Sequence, residues 1–507
     1  MQALHNWSFK SALVISLNNY YLSATIHLPV TIMSASITSF KEKATYRIEK
    51  DLLGTMEIEH ECYHGIQTQR AVNNFQLSGK KLTDYPELIN ALAYVKSACA
   101  TANLQQKSLD DIKANTIIKA AEFIHSGRFN HSFAIDMIQG GAGTSSNMNI
   151  NEVLANISLE LLGHEKGQYH YLHPNTDVNM SQSTNDVYPS SVRLAVLLNQ
   201  ESLLTAVEQL VASFTHKSKE FSTILKLART QLQDAVPMTL GQEFKSFAST
   251  LREDIKLIKN TGKLLTEINL GGTAVGTGIN AKKGYGTIAI KKLSELTGIE
   301  FSEAEDLIEA SSDMGAFVIY SATLKRLALK LSKIANDLRL LSMGPRAGLS
   351  EISLPARQPG SSIMPGKINP VIPEAVSQCS YQVVGNDMAI TMAAEAGQLQ
   401  LNAMEPLIAV NLLDSQNLLT NAVNMFNFLC VGGIEANETR CKELLDNSLG
   451  LVTALNPYLG YETSTKIAKE ALSSGASIIT LIKEQKLLTD EQLSQILRAD
   501  KMTQPSD

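Results

Sequence analysis

Between Gly360 and Pro370 the chain reads GSSIMPGKINP, which sets two hydroxyls (Ser361, Ser362), one ammonium (Lys367) and one amide (Asn369) close together. Those groups, with backbone N–H groups near Gly360 and Gly366, can hold and polarise an anion. Two glycines and two prolines in eleven residues exclude a regular helix or strand, so the segment is a loop between helical flanks. GGAGTSSNMN places Gly140, Gly141 and Gly143 ahead of Thr144 and a helical run, where free N–H groups and the helix dipole favour an anion. It is not a phosphate P-loop, because no Gly-Lys-Ser/Thr follows. QSTND supplies Ser183, Thr184 and Asn185, which can hydrogen-bond a carboxylate without adding charge, and Asp186, which can cap the next helix. RTQLQDAVP carries Thr230 and Gln231 ahead of the helix-breaking Pro237. Arg70 is a lone cation in an irregular stretch, and His173 opens HPNTDVN as a polar loop residue first and a ligand second. Taken singly, each cluster also reads as ordinary helix capping or a surface connection.

The elements that must position these groups are long helices. Phe317, Tyr320, Leu324, Leu327, Leu331, Ile334, Leu338 and Leu341 recur at spacings of three and four, a seam that predicts a helix packed in a bundle. Leu88, Leu92, Val95 and Cys99 keep the same spacing within a helical run from Tyr85 to Ile124. Arg47–Phe75 reads as irregular, and strand signals are sparse throughout. A helix of about 30 residues spans about 45 Å, so the polar clusters can fall at different ends of a bundle. An oligomer of antiparallel bundles would reunite them, which predicts shared sites.

The 507 residues exceed one ordinary core and predict two or three domains. With 44% hydrophobic and 19% charged residues and a net charge of -6, the composition is that of a globular protein and suggests neither nucleic acid nor a membrane surface as a partner. Cys62, Cys99, Cys379, Cys430 and Cys441 show no metal-ligand or CxxC spacing, which predicts reduced thiols and a cytoplasmic protein. Residues 1–44, with an apolar run broken by Asn18, Asn19 and Pro29, read as a disordered or non-native extension.

Taken together, GSSIMPGKINP, GGAGTSSNMN, QSTND, RTQLQDAVP and GPRAGLSEI resemble the signature blocks of the fumarase/aspartase superfamily, in the right order, from about Arg47 to the C-terminus. The resemblance implies an all-α, three-domain subunit with a central five-helix bundle, four of which form a twenty-helix tetramer core with four composite sites. The expected boundaries are 45–182, 183–436 and 437–507. The implied reaction is anti elimination of ammonia from L-aspartate to give fumarate, and its reversal, with no cofactor required and divalent-cation activation left open. By analogy Thr144, Ser183, Thr184 and Lys367 would hold the β-carboxylate with Asn369 beside them. Asn185 and Thr230 would position the amino group, Gln231 the α-carboxylate, and Arg70 a further anion contact. Ser361 would be the base, on a loop that closes as a lid. Gln231 stands where fumarases resemble a His block, and NPVIPE follows the loop, which favours aspartate over malate. HPNTDVN is closer to the fumarase pattern and keeps a class II fumarate hydratase as the alternative. Relatives that cleave argininosuccinate or adenylosuccinate carry different flanking blocks, and a scaffold-only, crystallin-like role is less consistent with the intact site set.

Overall fold

The computed structural model describes residues 46–504, so the expected extension at 1–44 lies outside the described residues. The first elements correct the sequence reading of Arg47–Phe75. β1 (Tyr46–Asp51) and β2 (Gly54–Glu59) pair antiparallel, and α1 (Ile66–Asn74) follows. The sheet is only two strands wide and much of it is exposed, so it lacks the apolar alternation that marks a strand in sequence.

α2 (Pro86–Gln105), α3 (Asp111–His125) and α4 (Thr144–Leu161) come next. Leu88, Leu92, Val95 and Cys99 are all fully buried, as their spacing predicts. α5 (Thr184–Glu220) has 37 residues and so spans about 55 Å. At its far end β3 (Leu225–Thr230) and β4 (Gln233–Thr239) form a second hairpin. α6 (Leu240–Gly262) runs back beside α5. α7 (Tyr285–Thr297) packs on α2.

Three more long helices complete the bundle: α8 (Gly315–Leu341), α9 (Val371–Glu395) and α10 (Glu405–Leu429). The packing order α5–α6–α8–α9–α10 returns to α5, a closed ring of five helices in which α5 and α10 run side by side in the same direction. Every residue of the α8 seam from Phe317 to Leu341 is buried. The strands among the described residues make only four two-stranded pairs, so the fold is all-α.

The second hairpin is held from beneath and from the side. Glu351 is fully buried between Lys226 at 2.9 Å and Arg229 at 2.8 Å, and Lys226 also meets Glu243 at 2.6 Å. Two cations and two carboxylates neutralise one another where a lone charge would be costly. The short helices after Asn437 gather around their own apolar cluster of Leu445, Leu451, Leu455, Ile467 and Leu481, which includes Leu227 of β3. A Cβ on Gly450 would lie 2.0 Å from the backbone oxygen of Ala235 in β4, so the two parts touch with no room for a side chain. Gly450→Ala is expected to push the hairpin aside, costing about 1–3 kcal/mol. Urea unfolding should show that loss while far-ultraviolet circular dichroism keeps the bundle's helical signal.

Candidate active site

The first group of polar residues gathers where α4 and α5 begin. Gly141, Ala142 and Gly143 all take positive φ (94°, 54° and 87°), which turns successive N–H groups toward the start of α4. Gly143 cannot be replaced: a Cβ there would lie 2.4 Å from the ring of the buried Tyr188. Thr144 is exposed at the helix start, with its hydroxyl on the oxygen of Gly141 at 2.7 Å. Ser183 caps α5, and the expected capping by Asp186 is present: Asp186 Oδ1 accepts from Ser183 N at 2.9 Å. Asp186 Oδ2 accepts from Gly271 N and Thr273 N, which ties α5 to the Gly-rich break at 269–280. Burial raises the Asp186 pKa, and the three N–H groups oppose that rise.

Hydrogen bonding here leaves each side chain with a definite polarity toward solvent. Ser183 Oγ accepts from Asn185 N at 3.2 Å, and Thr184 Oγ1 accepts from Asn147 Nδ2 at 3.1 Å. Their hydroxyl protons therefore remain to be given to something else. Asn185 Nδ2 donates to the oxygen of Ala274 at 2.7 Å, leaving its Oδ1 as an acceptor. Two donors and one acceptor at one helix start suit a carboxylate beside an ammonium.

The second group lies at the other end of the bundle. Thr230 and Gln231 sit exposed at the tip of the β3–β4 hairpin, where Gln231 and Leu232 both take positive φ (53° and 60°). That is a turn conformation usually given to Asn or Gly, held here by the hairpin on either side. Gly360–Pro370 is indeed a loop, and it closes on itself: Gly360 N donates to the oxygen of Lys367 at 2.7 Å, and Asn369 Nδ2 to the oxygen of Gly360 at 2.7 Å. A Cβ on Gly360 would fall 2.7 Å from both Asn369 N and the oxygen of Lys367. Ser361 Oγ accepts from Ile363 N at 3.2 Å and Met364 N at 3.1 Å. Both bonds favour the alkoxide over the alcohol. Lys367 is exposed.

Three side chains fall elsewhere. Arg70 is held by Asp51, Nε to Oδ2 and Nη2 to Oδ1 both at 2.8 Å, and that pairing lowers the Asp51 pKa. Its charge is thus committed to the first hairpin rather than to a free anion. His173 is the loop residue expected: its Nδ1 accepts from Asn175 N and Thr176 N, while Asp177 pairs with Lys113 at 2.9 Å. Within HPNTDVN, His173 therefore caps its own turn, while Asp177 reaches α3 and Asn179 bonds Asn147 and Asn151. Sequence reading passed over Lys96, a fully buried ammonium behind Thr184. Its signal was a lysine on the apolar seam between Leu92, Val95 and Cys99.

No side-chain hydrogen bond among the described residues joins the Thr144–Asn185 group to Thr230, Gln231 or the Ser361 loop. The length of α5 separates them. Residues 54–385 match the family model described as Lyase, and residues 451–504 match that of the Fumarase C C-terminus. The chain belongs to the fumarase/aspartase superfamily. An aspartate ammonia-lyase of Pseudomonas canavaninivorans is 58% identical over 463 residues, covering 91% of this chain and 98% of that protein. A structure of fumarate lyase:delta crystallin from Brucella melitensis bound to cobalt superposes with a TM-score of 0.89 at 54% identity, covering 91% of this chain and 100% of that one. A class II fumarase from Schistosoma mansoni gives a TM-score of 0.86 at 34% identity, with the same coverage. Among the described residues no group of three His, Cys, Asp or Glu side chains is placed to hold a metal ion, and no helix is long and apolar enough to cross a membrane.

Gly360→Ala is expected to open the neck of the loop and misplace Ser361. A misplacement of about 1 Å lowers kcat/KM on the order of 100-fold. The loop is exposed, so the melting temperature should stay near that of the wild type. Initial rates and a thermal melt of the same sample check both halves.

Proposed function

We propose that this chain catalyses the reversible anti elimination of ammonia from L-aspartate to give fumarate. The observation that carries the reading is the polarity at the start of α5. Ser183 and Thr184 have protons to give to a β-carboxylate, and Asn185 has an oxygen to accept from the substrate ammonium. The N–H groups at the start of α4 complete the carboxylate site, and Thr144 joins them by turning its hydroxyl from the Gly141 oxygen to the substrate. Lys367 and Asn369 come from the loop, Thr230 joins Asn185 on the amino group, and Gln231 takes the α-carboxylate.

The Cβ proton lies next to a carboxylate and is barely acidic. Its removal leaves a dianionic enediolate, so charge stabilisation is the main task. Ser361, as the alkoxide held by two N–H groups, takes that proton and becomes the alcohol. The enediolate then collapses to fumarate as the C–N bond breaks, and the bonding pair leaves with nitrogen as neutral ammonia. No acid is needed for that departure, which fits Gln231 in place of a histidine. Proton transfer and charge stabilisation are supplied by side chains, so the proposed chemistry calls for no organic cofactor.

The fumarase-like HPNTDVN favours the hydratase alternative less than its sequence suggests, because His173 caps its own turn and Asp177 is paired with Lys113. Curated relatives at 51–58% identity carry the aspartate ammonia-lyase name, against 34% for the fumarase structure. Purified protein given L-aspartate is expected to produce fumarate's ultraviolet absorbance. Turnover of malate and fumarate alone would replace the reading with the hydratase. Ser361→Ala is expected to lower kcat by about 10²–10⁴-fold with binding of a substrate analogue retained.

The site is proposed to form in a homotetramer, with domains at 45–182, 183–436 and 437–507, in the cytoplasm. Support comes from the split of the site between the two bundle ends. It also comes from α9, where Tyr381, Met388 and Met392 share one face and are about 60% exposed. Thr184→Val and Ser361→Ala are each expected to be nearly inactive. Subunits mixed 1:1 after dissociation should regain about a quarter of wild-type activity, since one site in four draws both halves intact. Recovery of nothing would place each site within one subunit.

A further inference from the structure

Lys96 lies in the middle of α2 with no exposed surface, and the reaction as described makes no use of it. Burial pulls its pKa down to about 7. Its hydrogen-bond partners are two amide oxygens: Nζ donates to Asn179 Oδ1 at 2.9 Å and to Gln182 Oε1 at 2.7 Å. In its ammonium form Lys96 is a donor only, and both amides then present their oxygen to it. Gln182 is fixed further by its own Nε2, which donates to the oxygens of Val178 and Met180.

The direction then passes outward along one chain of contacts. Asn179 Oδ1 also accepts from Asn147 Nδ2 at 3.2 Å and Asn151 Nδ2 at 3.1 Å. Asn147 must therefore keep its nitrogen toward Asn179, and the same nitrogen donates to Thr184 Oγ1 at 3.1 Å. With its oxygen used as an acceptor, Thr184 has its proton free. If Asn179 and Asn147 both turned over, Asn147 would present its oxygen to Thr184 and take that proton. The hydroxyl would then be lost as a donor with no change in the shape of the site.

We propose that Lys96 is a positioning residue that fixes the proton direction along Asn179, Asn147 and Thr184, so that Thr184 donates to the substrate carboxylate. The inference rests on the function proposed above. A lysine that merely packs the core would affect stability and would act independently of Thr184.

The test is a double-mutant cycle on the full-length protein: wild type, Lys96→Met, Thr184→Val and the pair. The readouts are kcat/KM for L-aspartate and the inhibition constant of succinate, which offers carboxylates without the amino group. Lys96→Met is expected to lower kcat/KM by about 10- to 100-fold and to weaken succinate. Thr184→Val is expected to cost about 10²–10³-fold. The pair should be no worse than Thr184→Val alone, within about twofold. Asn147→Leu, which cuts the path but leaves Lys96 with its partners, should show the same coupling. Should Lys96→Met not fold, Lys96→Gln takes its place, since an amide there keeps the polarity but can turn either way. Losses that multiply in the pair, or normal kcat/KM in a folded Lys96 variant, overturn the inference. A wild type that turns over no aspartate overturns the proposed function instead, so the two failures are told apart.

Discussion

The 37 residues of α5 keep Thr184 about 55 Å from the strand that follows the helix, and much else depends on that distance. A straight helix cannot fold its own ends together. Whatever chemistry needs both Thr184 and Thr230 has to find them on different copies of the chain. The ring of α5, α6, α8, α9 and α10 repeats the constraint. The end of α8, the Ser361 loop and the β3–β4 hairpin share one end, where Glu351 binds Lys226 and Arg229. The starts of α5 and α10 share the other. Apolar side chains are left outward on α9, a surface that the proposed neighbouring subunits would cover.

Within each half, donors and acceptors are sorted before substrate arrives. Ser183 and Thr184 spend their oxygens on the chain and keep their protons. Asn185 gives an N–H to the Ala274 oxygen and keeps its own oxygen. Such fixed dipoles do not reorganise when charge moves from Cβ into the carboxylate, which makes them more effective than water. They sit on helix starts, the stiffest places from which a short side chain can project. The buried polar atoms behind them, from Lys96 to Asn147, make that stiffness directional as well as positional.

Much of the fold was legible because bundle helices advertise themselves. The α8 seam and the Leu88–Cys99 spacing are long apolar repeats, and the structure buries them as read. The hairpins were not legible. β3–β4 turns on Gln231 and Leu232 at positive φ, where the sequence offers neither Asn nor Gly as a signal, and Pro237 sits inside β4. Their stability comes from Glu351 and from the C-terminal helices, which are remote in sequence. Most of the proposed site residues stand in small polar clusters next to glycine, which is what made them candidates. The partner of Arg70 was not legible, because nothing in sequence ties it to Asp51 across 19 residues. Lys96 was passed over because a single lysine in an apolar helix carries no motif; its meaning depends on which amides it meets.

The loop and the helix starts divide the proposed chemistry by what each can tolerate. Groups that hold the enediolate gain most from rigidity and stand on helices. The base stands on a loop that is self-closed but exposed. In that state two N–H groups already favour the Ser361 alkoxide, yet Lys367 acts through water and its field is weak. Covering the loop with the other bundle ends removes that water, and the same charge at the same distance then counts several times more. On this reading the base reaches full strength only when substrate and neighbouring subunits are in place. An alkoxide exposed to solvent would simply be protonated by it, so placing the base on the loop and the rigid dipoles on the helix starts ties proton removal to assembly of the whole proposed site.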